Sequence, residues 1–301
     1  MKSSSILSEI KNIYQGGGNI LQYFRAAEGT TYNKPESILI SYDYQAGSYT
    51  ANYKRNPANY HKYAKQIIGE IERLGSFGSI MEAGVGEATT FKQVISNIAL
   101  PGEKCFGFDI SWSRLKIGKD FLAEDDLFGQ QLFVAGLSSI PLADNSIDLV
   151  YTSHSIEPNS GNEKPILEEL YRVTGNYLVL FEPDYKFASE QAKKRMDEHA
   201  YVKNLANVAS ELGYNVTKWE PLEFSINPLN PTSVIVIKKS GEKVLKQPEF
   251  QCPITKTKLL DCGEVFFAPE PGLMYPVIRN IPCLLDTYAI LGAKYDYQNR
   301  P

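Results

Sequence analysis

Apolar residues follow two different spacings along this chain. Short, uninterrupted apolar runs alternate with longer segments in which apolar residues recur every three or four positions. Uninterrupted runs are typical of strands that are buried on both faces, and the longer spacing is typical of amphipathic helices. The pattern therefore predicts an α/β fold with a doubly wound, mostly parallel sheet that binds ligands at the carboxyl ends of its strands.

The spacings, together with residues that begin and end helices and strands, predict the individual elements. Helices are expected over residues 60–74, 87–97, 111–124, 163–173 and 188–212. Strands are expected over residues 80–83, 104–109, 131–135, 146–152, 176–182, 215–219 and 233–238. The loop from Pro221 to Pro231 is too short for a helical crossover, so the seven-stranded sheet is expected to end in an antiparallel hairpin.

A glycine turn follows the first predicted strand, in the sequence Glu82-Ala-Gly-Val-Gly86. Glycine lets a ligand approach the backbone because it has no side chain to hold the ligand away. An acidic residue, Asp109, ends the next strand. Two carboxyl groups and a glycine turn are thus expected at one edge of the sheet, an arrangement typical of a site for a nucleotide-like cofactor.

These features together resemble the class I S-adenosylmethionine-dependent methyltransferases, and residues 60–240 carry the resemblance: Glu82 before the glycine turn, Asp109 after the second strand, and a reversed last strand. The resemblance implies that S-adenosyl-L-methionine is the cofactor and that Asp109 holds its ribose. It implies further contacts at the methionine end and around the sulfonium and adenine, from Glu82, Ala83, Gly84, Gly86, Ile110, Gly136, Leu137, Thr152 and Ser153. The side chain with which the family often bonds the adenine amine is absent here, so Ser138 or the backbone is expected to supply that contact.

A nicotinamide-binding domain is the competing interpretation of the same glycines. That domain needs a third glycine to bring the helix close to the strand beneath a pyrophosphate, and Thr89 occupies the position. S-adenosylmethionine has no pyrophosphate, so the methyltransferase interpretation is favoured.

The composition restricts the partners. The chain has 301 residues, with 31 basic and 35 acidic side chains and a net charge of -4, which gives no electrostatic support for nucleic acid as the main partner. No apolar stretch is long enough for a membrane span or a signal peptide, so a cytoplasmic location without membrane contact is expected. The cysteines are too dispersed for a disulfide framework, and Cys105 is expected to pack inside a strand.

The end of the fourth strand is where the resemblance implies the reacting atoms lie. His154 is the candidate general base there; the alternatives are that it bonds a loop carbonyl or shapes the pocket, or that no base is needed. The two other histidines, His61 and His199, are expected on the surface. Further candidates at the same sheet edge are the carboxylates Glu157, Glu182 and Asp184, but solvated loop residues are the favoured interpretation of each.

Residues 1–57 precede the first core helix and contain a run of tyrosines, so we interpret them as a cap or lid. In comparable relatives such a segment folds over the cofactor, which implies contacts from Tyr44 and Tyr49; an aromatic face next to a sulfonium is favourable. Tyrosines that only pack beneath a loop are the alternative. Lys54 and Arg55 are expected to be solvated.

After the methyltransferase-like domain at 58–240, a polar linker leads to a small module at 249–290. Its Cys-Pro and Tyr-Pro-Val motifs resemble the small zinc-ribbon-like methyltransferase-activator domain. Metal-bound relatives carry a Cys-x-x-Cys pair, but Thr255 stands where the second cysteine would follow Cys252, so a metal-free module is expected. Its alternating strand at 273–279 is expected either to pair with another chain, as in a homodimer or with a protein partner, or to fold back on the main domain.

The sequence therefore predicts a methyltransferase that transfers a methyl group to an oxygen or nitrogen of a small or medium-sized acceptor. Two alternatives stay open: a catalytically silent, cofactor-binding partner subunit that acts through the C-terminal module, and a methyltransferase of RNA or protein.

Overall fold

A computed structural model describes residues 3–239 and 248–297 of the chain. Its helices are α1 (Ser3–Gln15), α2 (Ile20–Glu28), α3 (Pro35–Tyr44), α4 (Ser48–Arg55), α5 (Pro57–Glu72), α6 (Thr89–Asn97), α7 (Trp112–Ala123), α8 (Glu163–Val173), α9 (Glu190–Glu198) and α10 (Leu205–Glu211). The strands of the main sheet are β1 (Ile80–Ala83), β2 (Cys105–Asp109), β3 (Gln131–Val134), β4 (Ile147–Ser153), β5 (Thr174–Pro183), β6 (Val216–Pro221) and β7 (Thr232–Lys238).

The main sheet has seven strands in the order β3-β2-β1-β4-β5-β7-β6. β1 lies parallel to both β2 and β4, whereas β7 runs antiparallel to both β5 and β6. The predicted fold class and the reversed final hairpin are therefore confirmed. In a sheet of this kind the order reverses between β1 and β4, so their carboxyl ends form a crevice for ligands.

The prediction of one helix over 188–212 is wrong in one respect. The chain forms two helices there, α9 and α10, with an irregular segment at 199–204 between them. Ala200 has a φ of 53°, which a continuing right-handed helix does not allow. Beyond it, the Val202 N–H donates to the Glu157 carbonyl oxygen at 2.9 Å. This long-range bond brings the segment to the carboxyl edge of the sheet, and local apolar spacing does not reveal it.

The N-terminal segment consists of helices, which the sequence analysis described only as a cap. α2 begins after Asn19, whose side chain accepts the Gln22 N–H at 3.0 Å, and ends at Gly29 in the left-handed conformation. α4 packs against α5, α6 and α7. The tyrosine-rich stretch is thereby placed over the carboxyl edge of the sheet.

The core has two layers, one on each face of the main sheet. Neighbouring residues of β1 point to opposite layers, since strand side chains alternate: Ile80 packs with α5, α6 and α7, and Met81 packs with α8 and α10. Both residues are fully buried. This double burial explains why the strands read as uninterrupted apolar runs.

A second, antiparallel sheet follows at the C-terminus, in the order β11-β10-β9-β8 with β12 beside β10. Its strands are β8 (Leu260–Asp261), β9 (Val265–Ala268), β10 (Leu273–Ile278), β11 (Ile281–Pro282) and β12 (Ile290–Leu291). The Leu284 N–H donates to the Val134 carbonyl oxygen at 2.9 Å, and the Phe250 ring lies 5.2 Å from the Phe133 ring. The module thus folds back beside β3, and its buried residues belong to the same core as the main sheet.

The cysteines are all buried and free. In the C-terminal module, the Cys252 sulfur lies 3.2 Å from the Tyr275 hydroxyl, where the resemblance to a zinc ribbon would place a metal ligand. Within residues 3–239 and 248–297, no three His, Cys, Asp or Glu side chains are close enough together to hold a metal ion. None of the helices in the same described residues is both long and apolar enough to cross a membrane.

Replacing Leu284 by alanine should destabilise both sheets together. The side chain is fully buried in the shared core, so the substitution is expected to lower the free energy of unfolding by about 2–5 kcal/mol. Urea unfolding, followed by tryptophan fluorescence and by far-ultraviolet circular dichroism, measures the change. Leu291→Ala is the control, since Leu291 is 75% exposed. Two separate transitions, only one of them shifted by Leu284→Ala, would contradict a shared core.

Candidate active site

A cavity of about 390 Å³ lies at the carboxyl ends of β1, β2 and β4, beneath the N-terminal helices. Its volume falls within the roughly 300–1,000 Å³ typical of small-molecule sites. Most of the residues predicted from the sequence lie in its wall: Tyr49, Glu82, Gly84, Gly86, Asp109, Ile110, Gly136, Leu137, Ser138, Ser153 and His154. The cavity is therefore the candidate site.

The glycine turn is shaped by the close approach of β1 and β4. Gly84 has a φ of 77°, and a Cβ added there would lie 2.1 Å from the Ser155 Cβ. The Gly84 and Val85 N–H groups both donate to the Phe108 carbonyl oxygen at 2.8 Å. Only glycine fits at position 84, and the turn is held against β2 by backbone bonds.

Glu82 is a buried carboxyl group in the cavity wall, 2% exposed. The Tyr151 hydroxyl donates to its Oε2 at 2.7 Å. Burial raises the pKa of Glu82 to about 8, because the Tyr151 bond offsets only part of the lost hydration. A cationic group arriving beside Glu82 would favour its ionised form.

Asp109 accepts two backbone hydrogen bonds, from Gly86 N–H to Oδ2 at 3.0 Å and from Ser111 N–H to Oδ1 at 2.9 Å. Burial raises its pKa, and the positive charge of Arg114 opposes that shift. Each carboxylate oxygen has a further lone pair, so the side chain can still accept two hydroxyl groups. The Asp109 carboxyl therefore suits a vicinal diol.

Arg114 is a cavity residue that the sequence analysis missed. Its guanidinium lies 4.4 Å from the centre of the Tyr49 ring and 5.1 Å from that of Tyr42, and its Nε is 3.9 Å from Glu87 Oε1. Ser111 caps α7, which puts Arg114 in the first helical turn, where the helix dipole disfavours a cation. A cation in the first turn of a predicted helix was therefore the sequence signal that could have identified Arg114.

Glu87, also missed, connects the glycine turn to the N-terminal helices. Its Oε1 accepts the Gly47 N–H at 3.0 Å, and its Oε2 accepts the Thr50 N–H at 2.7 Å and the Thr50 hydroxyl at 2.8 Å. The side chain is buried and caps the N-terminus of α4. The position of α4 thus depends on a residue of the turn beneath it.

Of the two tyrosines expected in the lid, Tyr49 lines the cavity and Tyr44 does not. The Tyr44 hydroxyl donates to the Leu7 carbonyl oxygen at 3.1 Å, away from the site. Tyr42 lines the cavity instead. Tyr42 and Tyr44 both belong to α3, and side chains two positions apart on a helix point in different directions.

Two residues expected to contact the cofactor also point elsewhere: Ala83, expected at its methionine end, and Thr152, expected beside the sulfonium. Ala83 and Thr152 are fully buried and are absent from the cavity wall. Ser153, the next residue of β4, does face the cavity, and its hydroxyl lies 3.1 Å from that of Tyr63. Alternation along β1 and β4 explains the difference.

His154 lies at the mouth of the site in the left-handed conformation, with a φ of 56°. Its Nδ1 is 3.0 Å from Glu157 Oε2 and its Nε2 is 2.8 Å from Thr232 Oγ1. Burial would lower the pKa of His154, but the hydrogen bond and charge of Glu157 and the charge of Glu182 outweigh burial and raise it. An ionised carboxylate only accepts hydrogen bonds, so Nδ1 carries a proton and Nε2 is the nitrogen that could exchange one.

The three carboxylates expected to be solvated are buried, so that expectation was wrong: Glu157, Glu182 and Asp184 are each at most 6% exposed. Glu182 accepts the Ser155 and Ile156 N–H groups at 3.1 and 3.2 Å, and burial raises its pKa to about 7. Asp184 lies outside the cavity wall, where its Oδ2 accepts hydrogen bonds from the Trp219 indole N–H and the Ser233 hydroxyl.

His61 and His199 lie outside the cavity wall. His61 is exposed, as expected, and its Nε2 lies 2.9 Å from the Tyr53 hydroxyl. His199 is half-buried at the end of α9, and burial lowers its pKa.

Comparison with known proteins agrees with this geometry. Residues 81–177 match the family model of a methyltransferase domain. No curated protein matches the chain.

Three solved structures share the fold. Magnesium protoporphyrin IX methyltransferase from Synechocystis PCC 6803, with bound S-adenosylhomocysteine, is 11% identical with a TM-score of 0.51, covering 67% of this chain and 99% of that one. A chain of the complex between the Haloferax volcanii Trm112 methyltransferase activator and the putative methyltransferase is 12% identical with a TM-score of 0.51. The match covers 66% of this chain and 97% of that one. A putative S-adenosylmethionine-dependent methyltransferase from Methanococcus maripaludis is 15% identical with a TM-score of 0.50, covering 68% and 96%.

These comparisons define the class of fold as that of the Rossmann-like methyltransferases. Within this fold, residues 81–177 of the chain carry the match to a methyltransferase domain, and they include Glu82, Asp109 and His154.

Replacing Glu87 by glutamine should loosen the lid. The amide nitrogen cannot accept the N–H groups of α4, so the change is expected to lower the free energy of unfolding by about 1–3 kcal/mol. Hydrogen exchange of residues 47–50, measured by mass spectrometry, should become faster.

Glu124→Gln is the matched control for Glu87→Gln. Glu124 pairs with Lys54 of α4 at 2.7 Å, but both side chains are about half exposed, so its loss is expected to cost less than about 1 kcal/mol. Equal exchange rates at residues 47–50 in both variants would show that Glu87 does not hold the lid.

Proposed function

We propose that the protein is an S-adenosylmethionine-dependent methyltransferase that transfers a methyl group to an oxygen or nitrogen of a small or medium-sized acceptor. The observation that carries the proposal is the position of Glu82, Gly84 and Asp109 in one cavity, inside the segment that matches a methyltransferase domain. A general methyltransferase activity is supported by the same match and by the fold.

The charges around the glycine turn fit this cofactor better than a dinucleotide. Two buried carboxyl groups, Glu82 and Asp109, flank the turn, and in their ionised forms they would repel a pyrophosphate placed there. The cofactor instead offers an ammonium group for Glu82 and a ribose diol for Asp109. Glycine at positions 84 and 86 lets the Ser155 side chain and the Arg114 guanidinium approach the turn between the two carboxyl groups.

When bound, the cofactor supplies a methyl group that is electrophilic because it is attached to a positively charged sulfur. The chain's task is then to hold the acceptor in line with that methyl group and to exclude water. The lid residues Tyr42 and Tyr49 cover the cavity, and Tyr63 and Ser153 line it where β4 ends. These residues make the enclosed site that such a transfer needs.

His154 is the proposed general base. Its Nδ1 proton is held by Glu157, which leaves Nε2 to take a proton once its contact with Thr232 opens. Only the neutral imidazole can accept a proton. Because the pKa of His154 is raised, a smaller fraction of the side chain is neutral at a given pH, which restricts the base role.

The chain is proposed to comprise a lid at 1–57, a methyltransferase domain at 58–240 and a metal-free C-terminal module at 249–290. The module resembles a methyltransferase-activator domain, and Leu285 lies 3.7 Å from where a Cβ on Gly136 would be. We propose that it supports the adenine end of the site within the same chain. A cytoplasmic location, and a homodimer or protein partner bound through the module, are also proposals.

Cofactor affinity should depend on Glu82 and on pH. Below its pKa of about 8, Glu82 must lose a proton to pair with an ammonium group, so affinity for S-adenosylhomocysteine should rise as the pH is raised toward 8. Glu82→Gln should remove this pH dependence, and both Glu82→Gln and Asp109→Asn should weaken binding about 10- to 100-fold. Calorimetry at several pH values measures this. Undiminished affinity in both variants would refute the site assignment, and no binding by the unaltered protein would refute the function.

The base role of His154 is tested by His154→Asn, because asparagine tolerates the left-handed backbone at this position. A screen of cell-extract fractions with radiolabelled S-adenosylmethionine first identifies an acceptor. Turnover of that acceptor is then expected to fall roughly 10²- to 10⁴-fold with cofactor affinity unchanged. The exposed His61, changed to asparagine, is the control. Normal turnover of His154→Asn would remove the base role.

A further inference from the structure

The cavity extends past the part that the proposed cofactor would occupy. Most residues assigned to the cofactor lie at the carboxyl ends of β3, β2 and β1, and Ser153 at the end of β4 is assigned beside its sulfonium. The wall continues over β4 and β7, on the other side of the point where the strand order reverses. That second part is lined by Tyr63, His154, Arg195, Tyr201, Ile226 and Asn230.

Arg195 is the cation of this second part. It projects from α9, its Nη1 donates to Asn230 Oδ1, and its guanidinium carbon lies 5.5 Å from the centre of the Tyr201 ring. These two contacts fix the guanidinium at the cavity wall. Tyr201 is held there by the break between α9 and α10, so the break serves the site.

Arg195 differs from the neighbouring cations of its own helix. Lys193 pairs with Glu190 at 2.8 Å and Lys194 with Glu198 at 4.0 Å, and neither lysine lines the cavity. Within residues 3–239 and 248–297, by contrast, no carboxylate lies within 4.0 Å of the Arg195 nitrogens. A guanidinium in a cavity wall without an anionic partner is suited to bind an anion of the ligand.

We propose that this second part of the cavity binds the methyl acceptor through a carboxylate that pairs with Arg195, so that the acceptor is a small carboxylic acid. The proposal rests on the proposed methyltransferase function. Ile226 and the Tyr201 ring give the rest of this part an apolar surface, which suits an acid with an aliphatic or aromatic body.

The charge balance favours a carboxylate over a phosphate. Glu157 is buried in the same part of the wall and is occupied by its contact with His154 Nδ1 at 3.0 Å. Arg195 therefore remains as a single cation, which neutralises a monoanion but not a dianion. The paired carboxylate is an anchor and not the methyl acceptor, because a guanidinium weakens the nucleophilicity of the oxygens it binds.

The test is calorimetry of small acids with the protein saturated with S-adenosylhomocysteine and, separately, with the protein alone. Benzoate and hexanoate are the probes, and benzamide and hexanamide are their neutral counterparts. At least one acid is expected to bind, with its amide at least about tenfold weaker. Arg195→Gln is expected to weaken acid binding about 10- to 100-fold. Arg195→Lys keeps the positive charge but loses the two-pronged guanidinium geometry, so it is expected to weaken acid binding less than Arg195→Gln does.

Lys194→Gln is the matched control, since it removes a positive charge from the same helix at an exposed position outside the cavity. It should leave acid binding unchanged, and all three variants should keep their affinity for S-adenosylhomocysteine, which also shows that they fold. The anchor proposal is overturned if neither acid binds, if the amides bind equally well, if phenyl phosphate binds tighter than benzoate, or if Lys194→Gln weakens binding as much as Arg195→Gln. Failure to bind S-adenosylhomocysteine overturns the proposed function instead, and the titrations without it still test Arg195.

Discussion

One interaction recurs at the carboxyl edge of the sheet and holds the candidate site together: a buried carboxylate that accepts hydrogen bonds from backbone N–H groups. Asp109 holds the glycine turn through Gly86, Glu87 holds the start of α4 through Gly47 and Thr50, and Glu182 holds the loop after β4 through Ser155. A charge-assisted bond to a backbone amide is among the stronger hydrogen bonds, and burial shields it from water. The loops that surround the cavity are therefore positioned before any ligand arrives, which reduces the ordering that binding requires.

The sequence predicts well what depends on burial. Strands buried on both faces must be apolar throughout, so β1, β2, β4 and β5 are visible as runs, and the short loop before β7 requires an antiparallel return. The glycine turn is equally visible, because the contact between Gly84 and Ser155 excludes every other residue. These features were enough to predict the fold class and the edge where the cavity lies.

What the sequence does not predict depends on partners far apart along the chain. Glu87 bonds to residues almost forty positions away, and nothing in its local sequence distinguishes it from a solvated helix residue. The break after α9 depends on a bond between Val202 and Glu157, and the burial of Glu182 depends on a loop from another strand. The sequence predicts Tyr44 as a cavity residue, whereas Tyr42 lines the cavity, because the tyrosine run does not show which helix face meets the cavity. Spacing gives the period of an element, but its rotation is set by tertiary packing.

The distribution of charge along the cavity connects the two proposals. Near the ends of β1 and β2 the wall carries the carboxyl groups of Glu82 and Asp109, with the Arg114 guanidinium beside Asp109. Over β4 and β7 it carries the Arg195 guanidinium, and Glu157 there is in contact with His154. A cation-bearing ligand at the first end and an anion-bearing ligand at the second would satisfy both, and they would meet where Ser153 and His154 end β4. Glu82 at one end and Arg195 at the other therefore favour ligand groups of opposite charge, which helps the wall to distinguish the two ligands.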